Sequence, residues 1–69
     1  MNLTNTMADR ILRLSEERGI SVRQMARLSG VSESSLYMVS CRRRELSCTN
    51  LRKLCRGMKV SADWMLGLE

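Results

Sequence analysis

The chemistry that this chain could perform is concentrated in a run of arginines. Arg42, Arg43 and Arg44 are consecutive, and residues 41–58 hold six basic side chains against one acidic side chain. The whole chain has 69 residues and a formal charge of +5, so this segment accounts for the basic excess. A local excess of guanidinium groups suits an anionic partner, and nucleic acid is the first candidate. The alternative is an ordinary solvated loop, which is what most charge runs are.

Catalytic and metal-binding chemistry have few candidate residues here. Cys41, Cys48 and Cys55 recur every seven residues, but the chain has no His and no fourth Cys to complete a zinc site. We therefore expect free thiols packed between helices and no metal or other cofactor. The absence of His also excludes Ser–His and Cys–His catalytic pairs. We predict a protein that is not an enzyme and that binds no small-molecule ligand.

Helices must position the arginine run, and four predicted N-caps mark where helices begin. Ser21, Ser32, Ser47 and Ser61 each follow an apolar residue and precede another apolar residue four positions inside the helix. Together with apolar side chains at helical spacing, they predict five short helices, at about 6–18, 22–28, 33–41, 48–58 and 62–66. No segment alternates apolar and polar residues as a strand would. The fold class is all-α, in one domain over residues 1–69.

Residues 21–41 form the most informative stretch of the chain. Two short predicted helices meet at residues 29–31, a connection as short as those of helix-turn-helix motifs. Ala26 is small where these helices must cross, and nearby apolar residues would fix the crossing: Met25, Val31, Leu36 and Val39. A helix held rigidly on such a scaffold can enter the major groove of DNA, which is about 12 Å wide.

An ordered set of residues along nearly the whole chain carries a family resemblance. It comprises residues 10–14, 19–21, 25–26 and 30–32, then Leu36, Val39, Leu51 and Leu54, and finally residues 60–66. In order and spacing this set resembles the lambda-repressor-like helix-turn-helix domain of the Xre/Cro/cI-type bacterial and phage transcriptional regulators. The resemblance implies that the helix starting near Ser32 reads bases in the major groove.

The resemblance also implies roles for individual residues. Glu33, Ser34 and Met38 would face the groove floor, where Glu33 can accept from cytosine, Ser34 can bond several base edges and Met38 can contact a thymine methyl group. Contacts to the DNA backbone or to flanking bases would come from Ser21, Arg23, Arg27, Ser32, Ser35, Tyr37, Arg42, Arg43 and Arg44.

The chain departs from the family pattern at several positions. The departures are Val22 where Gln is usual, Ser15 and Ser40 where an Arg–Glu pair is frequent, Arg42 and Lys59 where Gly is common, and Leu46 where Pro is common. Glu33 also opens the reading helix with a negative charge that would face a polyanion.

The favoured function is a sequence-specific DNA-binding transcriptional regulator, a repressor from a phage, plasmid or mobile element. The alternative is a protein-interaction module, such as an antitoxin or anti-repressor with weak or no DNA binding, which Val22 and Glu33 would favour. A small reading head needs a second copy, so we expect a homodimer with a seam formed by Trp64, Leu66 and Leu68. The chain has no apolar run long enough for a membrane span and no secretory signal at its start, so we expect a cytoplasmic protein without membrane contact.

Overall fold

All regular structure in residues 2–69, the part of the chain that the computed structural model describes, is helical. The helices are α1 (Leu3–Arg18), α2 (Val22–Ser29), α3 (Glu33–Ser40), α4 (Cys48–Met58) and α5 (Ala62–Met65). Helix α2 packs against α1, α3 and α4, and α1 also contacts α3 and α5. The prediction of an all-α fold with five helices is confirmed.

The four predicted serine caps are confirmed. Each hydroxyl oxygen accepts a hydrogen bond from the backbone N–H three residues later, at 3.0–3.1 Å. At Ser21 the bond is reciprocal, because Gln24 Oε1 accepts from the Ser21 N–H at 2.8 Å. These bonds satisfy amides that the first turn of a helix leaves unpaired, so each helix has a fixed starting residue.

The first helix begins earlier than the sequence predicted and is not short. Asn2 is its N-cap and accepts from the Asn5 N–H at 2.9 Å, so α1 has 16 residues. Thr6, near which we expected the start, lies inside the helix and its hydroxyl donates to the Asn2 carbonyl at 3.1 Å. The other differences in helix bounds are one residue each: α2 extends to Ser29, α3 ends at Ser40 and α5 ends at Met65.

Left-handed residues follow the ends of α1 to α4. Gly19 and Gly30 have φ values of 63° and 74°, and the corresponding residues after α3 and α4 are Arg42 (φ 64°) and Lys59 (φ 56°). This conformation lets the next amide reach back five residues, as Arg43 N–H does to Met38 O and Val60 N–H to Cys55 O, both at 3.0 Å. Side chains with a Cβ adopt it at a conformational cost, so Arg42 and Lys59 occupy positions that Gly would fill without that cost.

The apolar residues predicted to fix the α2–α3 crossing are buried. Met25, Ala26 and Leu36 have no exposed surface, and Val31 and Val39 have 5% and 2%. They join a core completed by Met7, Ile11, Leu14, Leu46, Leu54, Met58 and Met65. Helix α3 is therefore anchored along one side, and its other side is available to solvent.

Helices α2 and α4 approach closely at Gly57. A Cβ added there would lie 2.6 Å from Ser29 Oγ and 2.7 Å from Ser29 Cα, so only glycine fits without a shift. The Ser29 hydroxyl itself is buried and has no hydrogen-bond partner in the described part of the chain.

At three of the positions where the chain departs from the family pattern, Ser15, Ser40 and Leu46, the polar groups have hydrogen-bond partners inside the fold. Ser15 donates to the Ile20 carbonyl, and Ser40 donates to the Tyr37 carbonyl at 2.7 Å. The buried Leu46 N–H donates to Met7 Sδ at 3.2 Å, a bond that proline could not make. Removing both members of an ion pair together, as here, need not destabilise a fold.

Candidate nucleic-acid interface

Helix α3 presents polar side chains on the side opposite its buried face. Glu33 and Ser34 are exposed and Tyr37 is 60% exposed, while Met38 and Ser35 are half-buried. Two residues expected at the groove floor, Glu33 and Ser34, are therefore exposed to solvent, whereas the third, Met38, lies partly against the fold. Because Leu36 is fully buried on the other side of α3, the helix is held in the core with these polar side chains facing outward.

Two arginines of α2 meet the first residue of α3. Arg23 Nε and Arg27 Nε lie 3.3 Å and 3.2 Å from Glu33 Oε1, and both donate to that single oxygen. Their side chains are 68% and 65% exposed, and that of Glu33 is 47% exposed. The structure thus brings a residue predicted to read bases, Glu33, together with two residues predicted to contact the DNA backbone or flanking bases, Arg23 and Arg27. The available signal was the four-residue spacing of Arg23 and Arg27, which puts both on one face of α2.

A shallow depression adjoins this charged cluster. It has a volume of about 330 Å³ and is lined by Val22, Arg23, Glu33, Ser34 and Tyr37. The depression lies between the first turn of α2 and the exposed face of α3, so Val22 adds apolar surface where a glutamine would add an amide. Ser21 and Ser32, the N-caps of these two helices, are both exposed.

The arginine run follows α3 directly and only part of its charge is paired. Arg42 forms an ion pair with Asp9 of α1. Arg43 and Arg44 are exposed, and no acidic side chain in residues 2–69 lies within ion-pair distance of them. Within the arginine run, the unpaired positive charge is therefore carried by Arg43 and Arg44 and not by Arg42.

Tyr37 lies between the exposed face of α3 and the arginine run. Hydrogen bonding to the Cys41 side chain, together with the charge of that thiol when ionised, raises the pKa of Tyr37 above its usual 10.0, although Arg43 acts in the opposite direction. The shift is away from neutral pH, so the phenol stays protonated there, as an ordinary tyrosine does, and can donate a hydrogen bond to an anion.

The other predicted sites lie away from α3. Trp64 is half-buried, where its carbonyl accepts from Arg10 Nε at 2.9 Å and the Arg10 guanidinium lies 5.2 Å from the ring centroid. Leu66 packs partly against the core, whereas Leu68 is 74% exposed. Of the three residues expected at a dimer seam, only Leu68 is largely free of its own chain.

The three thiols are not paired with one another. The expectation that they pack between helices is wrong for Cys41 and Cys48, which are exposed because they lie at the end of α3 and at the first residue of α4, and only Cys55 is half-buried. Burial raises the pKa of the Cys55 thiol. Within residues 2–69 no group of His, Cys, Asp or Glu side chains is arranged to hold a metal ion. None of the helices in this part of the chain combines the length and apolar character needed to cross a bilayer.

Solved structures of two regulators are similar to this fold. A hypothetical transcription factor, NHTF, from Neisseria superposes with a TM-score of 0.84 at 22% identity, covering 94% of this chain and 75% of its own. An HTH_3 family transcriptional regulator from Vibrio cholerae superposes with a TM-score of 0.83 at 23% identity, covering 94% of this chain and 36% of its own. No protein-family model and no curated protein matches the sequence. The lambda-repressor-like helix-turn-helix fold that the sequence predicted is confirmed.

Proposed function

We propose that this protein is a cytoplasmic, sequence-specific DNA-binding transcriptional regulator that reads the major groove with α3. The observation that carries the proposal is the placement of the exposed face of α3 immediately before Arg43 and Arg44, whose charges are unpaired. The fold is that of two proteins described as a transcription factor and a transcriptional regulator, which supports the same function. Repression follows where the bound site overlaps a promoter.

Base contacts in this proposal come from Glu33, Ser34 and Met38. The exposed Ser34 hydroxyl can both donate and accept, and the half-buried Met38 thioether offers apolar surface to a thymine methyl group. Contacts to phosphates and flanking bases come from Arg43 and Arg44, from the protonated Tyr37, and from the exposed or half-buried hydroxyls of Ser21, Ser32 and Ser35.

We further propose that two copies bind together. Half-sites of dimeric helix-turn-helix proteins lie about one DNA turn, roughly 34 Å, apart, and a body that measures 27 × 23 × 22 Å is small enough for two copies to lie side by side over that length. The exposed Leu68, backed by the half-buried Trp64 and Leu66, is the proposed seam. Sedimentation at tens of micromolar, with and without a selected DNA site, should show two copies of the chain; a monomer in both conditions would contradict the seam.

One observation favours the alternative of a protein-interaction module. Glu33 bonds both Arg23 and Arg27, which lowers the positive charge that α2 and α3 offer to phosphates. An antitoxin or anti-repressor on this fold would need little affinity for DNA. The two functions predict different effects when a charge is removed from the arginine run: DNA affinity falls for a regulator and is unchanged for an interaction module.

A salt titration with mixed-sequence DNA separates the two functions. For a DNA-binding protein, the logarithm of the affinity falls linearly with the logarithm of the salt concentration, with a slope of about −0.9 per phosphate contacted. Arg43→Ala should weaken binding to all sequences and flatten the slope by about 0.9. The matched control is Arg56→Ala, which removes the same charge from an exposed position beside Leu28 and Gly57. Equal affinities for the two variants and the unchanged protein would favour the interaction module.

A further inference from the structure

We infer that Arg23 and Arg27 are positioning residues that hold and neutralise Glu33, and that Glu33 thereby selects a cytosine. This inference rests on the proposed function, because it requires α3 to enter the major groove. It assigns the two arginines to the recognition of one base, whereas their charge alone would suggest contacts to phosphates.

The bonding of the Glu33 carboxylate carries the inference. Arg23 and Arg27 both donate to Oε1, and no hydrogen bond within residues 2–69 reaches the other oxygen, Oε2. A carboxylate can accept about four hydrogen bonds through its two oxygens. The two arginines therefore fix the carboxylate at one oxygen and leave the second oxygen able to accept from a partner outside the chain.

Electrostatics explains why a carboxylate on this helix would need two arginines. Duplex DNA carries one negative charge per about 1.7 Å of its axis, so an isolated carboxylate would be repelled from the groove. With two guanidinium groups bonded to it, the cluster of Glu33, Arg23 and Arg27 carries a net positive charge. Ion pairs as exposed as these contribute little to folding stability. The stability of the fold therefore does not account for two arginines bonded to Glu33.

The free oxygen discriminates among bases because it can only accept. In the major groove guanine presents two acceptors and thymine presents an acceptor with a methyl group, so both would repel a carboxylate. Adenine presents its N6 donor beside its own N7 acceptor, whereas cytosine presents its N4 donor and has no acceptor of its own in the major groove. The depression beside Glu33, with Val22 and Tyr37 in its wall, offers apolar surface for the C5 edge of the same pyrimidine. Cytosine is the base that fits both features.

The inference is tested by selecting bound sites from random duplex DNA with four proteins. These are the unchanged chain, Glu33→Gln, the double variant Arg23→Gln with Arg27→Gln, and the triple variant that combines all three changes. We expect the unchanged chain to require cytosine at one position of each half-site. Glu33→Gln should reduce that preference about 5- to 150-fold and shift it towards adenine, because glutamine pairs with adenine N6 and N7. Preferences at the other positions should be unchanged.

Affinities measured on the selected site then show whether Arg23 and Arg27 position Glu33 or contact phosphates. If the arginines act through Glu33, the double variant weakens binding strongly, but the same two changes have little effect once Glu33 is already glutamine. If they bind phosphates, they lower the salt slope by about 0.9 each in both backgrounds, which would overturn the inference. A cytosine preference that survives Glu33→Gln, or no such preference in the unchanged chain, would also overturn it.

The outcomes distinguish this inference from the proposed function. DNA binding that depends on Arg43 but shows no role for Glu33 leaves the proposed function standing and refutes the inference. An unchanged chain that binds no DNA at any salt concentration refutes both. The side chains of Arg23 and Arg27 are largely exposed and that of Glu33 is about half exposed, so the variants should keep the helical circular dichroism and the melting temperature of the unchanged chain to within a few degrees.

Discussion

A methyl group added at Gly57 tests the packing of α2 against α4. Gly57 lies one residue before the end of α4, and its Cα faces Ser29 at the end of α2. Helix propensity alone predicts that Gly57→Ala stabilises the protein by up to about 1 kcal/mol, because glycine is a poor helix former. The tertiary contact predicts the opposite sign.

The magnitude follows from the contacts that the new Cβ would make. It would lie 2.6 Å from Ser29 Oγ, 2.7 Å from Ser29 Cα and 3.0 Å from Ser29 Cβ. Carbon atoms in good contact are roughly 3.5–4.0 Å apart. Rotation of the hydroxyl can relieve the first contact, but the Cα belongs to the backbone of α2, so the helices must move apart. Overpacking of this kind costs about 1–3 kcal/mol, and after the propensity gain we expect a net loss of about 1 kcal/mol.

Thermal and urea denaturation followed by circular dichroism measure this effect. A loss of about 1 kcal/mol should lower the melting temperature of a domain of this size by about 4–8 °C. The matched control is Thr49→Ala, at an exposed position of the same helix, where propensity acts without a tertiary contact and the protein should be unchanged or slightly stabilised. A Gly57→Ala protein that melts higher than the unchanged chain would refute the close approach of the two helices.

Three further predictions concern single residues. Ser29→Ala removes a buried hydroxyl without a partner and should raise the unfolding free energy in urea by about 1 kcal/mol; a clear decrease would show that the hydroxyl is bonded. Lys59→Gly relieves a left-handed side chain (φ 56°) and should also stabilise by up to about 1 kcal/mol, whereas an earlier melting transition would argue against that backbone conformation. Burial raises the pKa of Cys55, so its contribution to stability is full below the unfolded pKa and is lost as pH rises through the folded value. Denaturation midpoints should therefore fall above about pH 9, and Cys55→Ala should make that fall shallower; an identical pH profile for the variant would count against the burial of this thiol.

Local features of the fold were readable from the sequence because they depend on short separations. Ser21, Ser32, Ser47 and Ser61 bond amides three residues away, so their cap roles need no knowledge of the rest of the chain. The start of α1 was misplaced because an Asn cap without a flanking apolar pair resembles any polar N-terminus. The buried faces of the helices followed from apolar periodicity, which the core confirms.

Partners of the charged side chains were not readable from the sequence. Arg42 pairs with Asp9 and Arg10 stacks on Trp64, across 33 and 54 residues respectively. A charge count treats the arginines as equivalent, but the structure separates the paired Arg42 from the unpaired Arg43.

The starts of α2 to α5, the buried faces of the helices and the helix-turn-helix formed by α2 and α3 follow from the sequence alone. These properties arise from hydrogen bonds and apolar spacing within a few residues. The packing of the helices against one another brings Arg23 and Arg27 to one oxygen of Glu33 and places Ser29 so close to α4 that only glycine fits at position 57. The physical reason is that such contacts depend on the crossing angles and distances between helices. Those are set by the packing of the whole core rather than by any local run of residues.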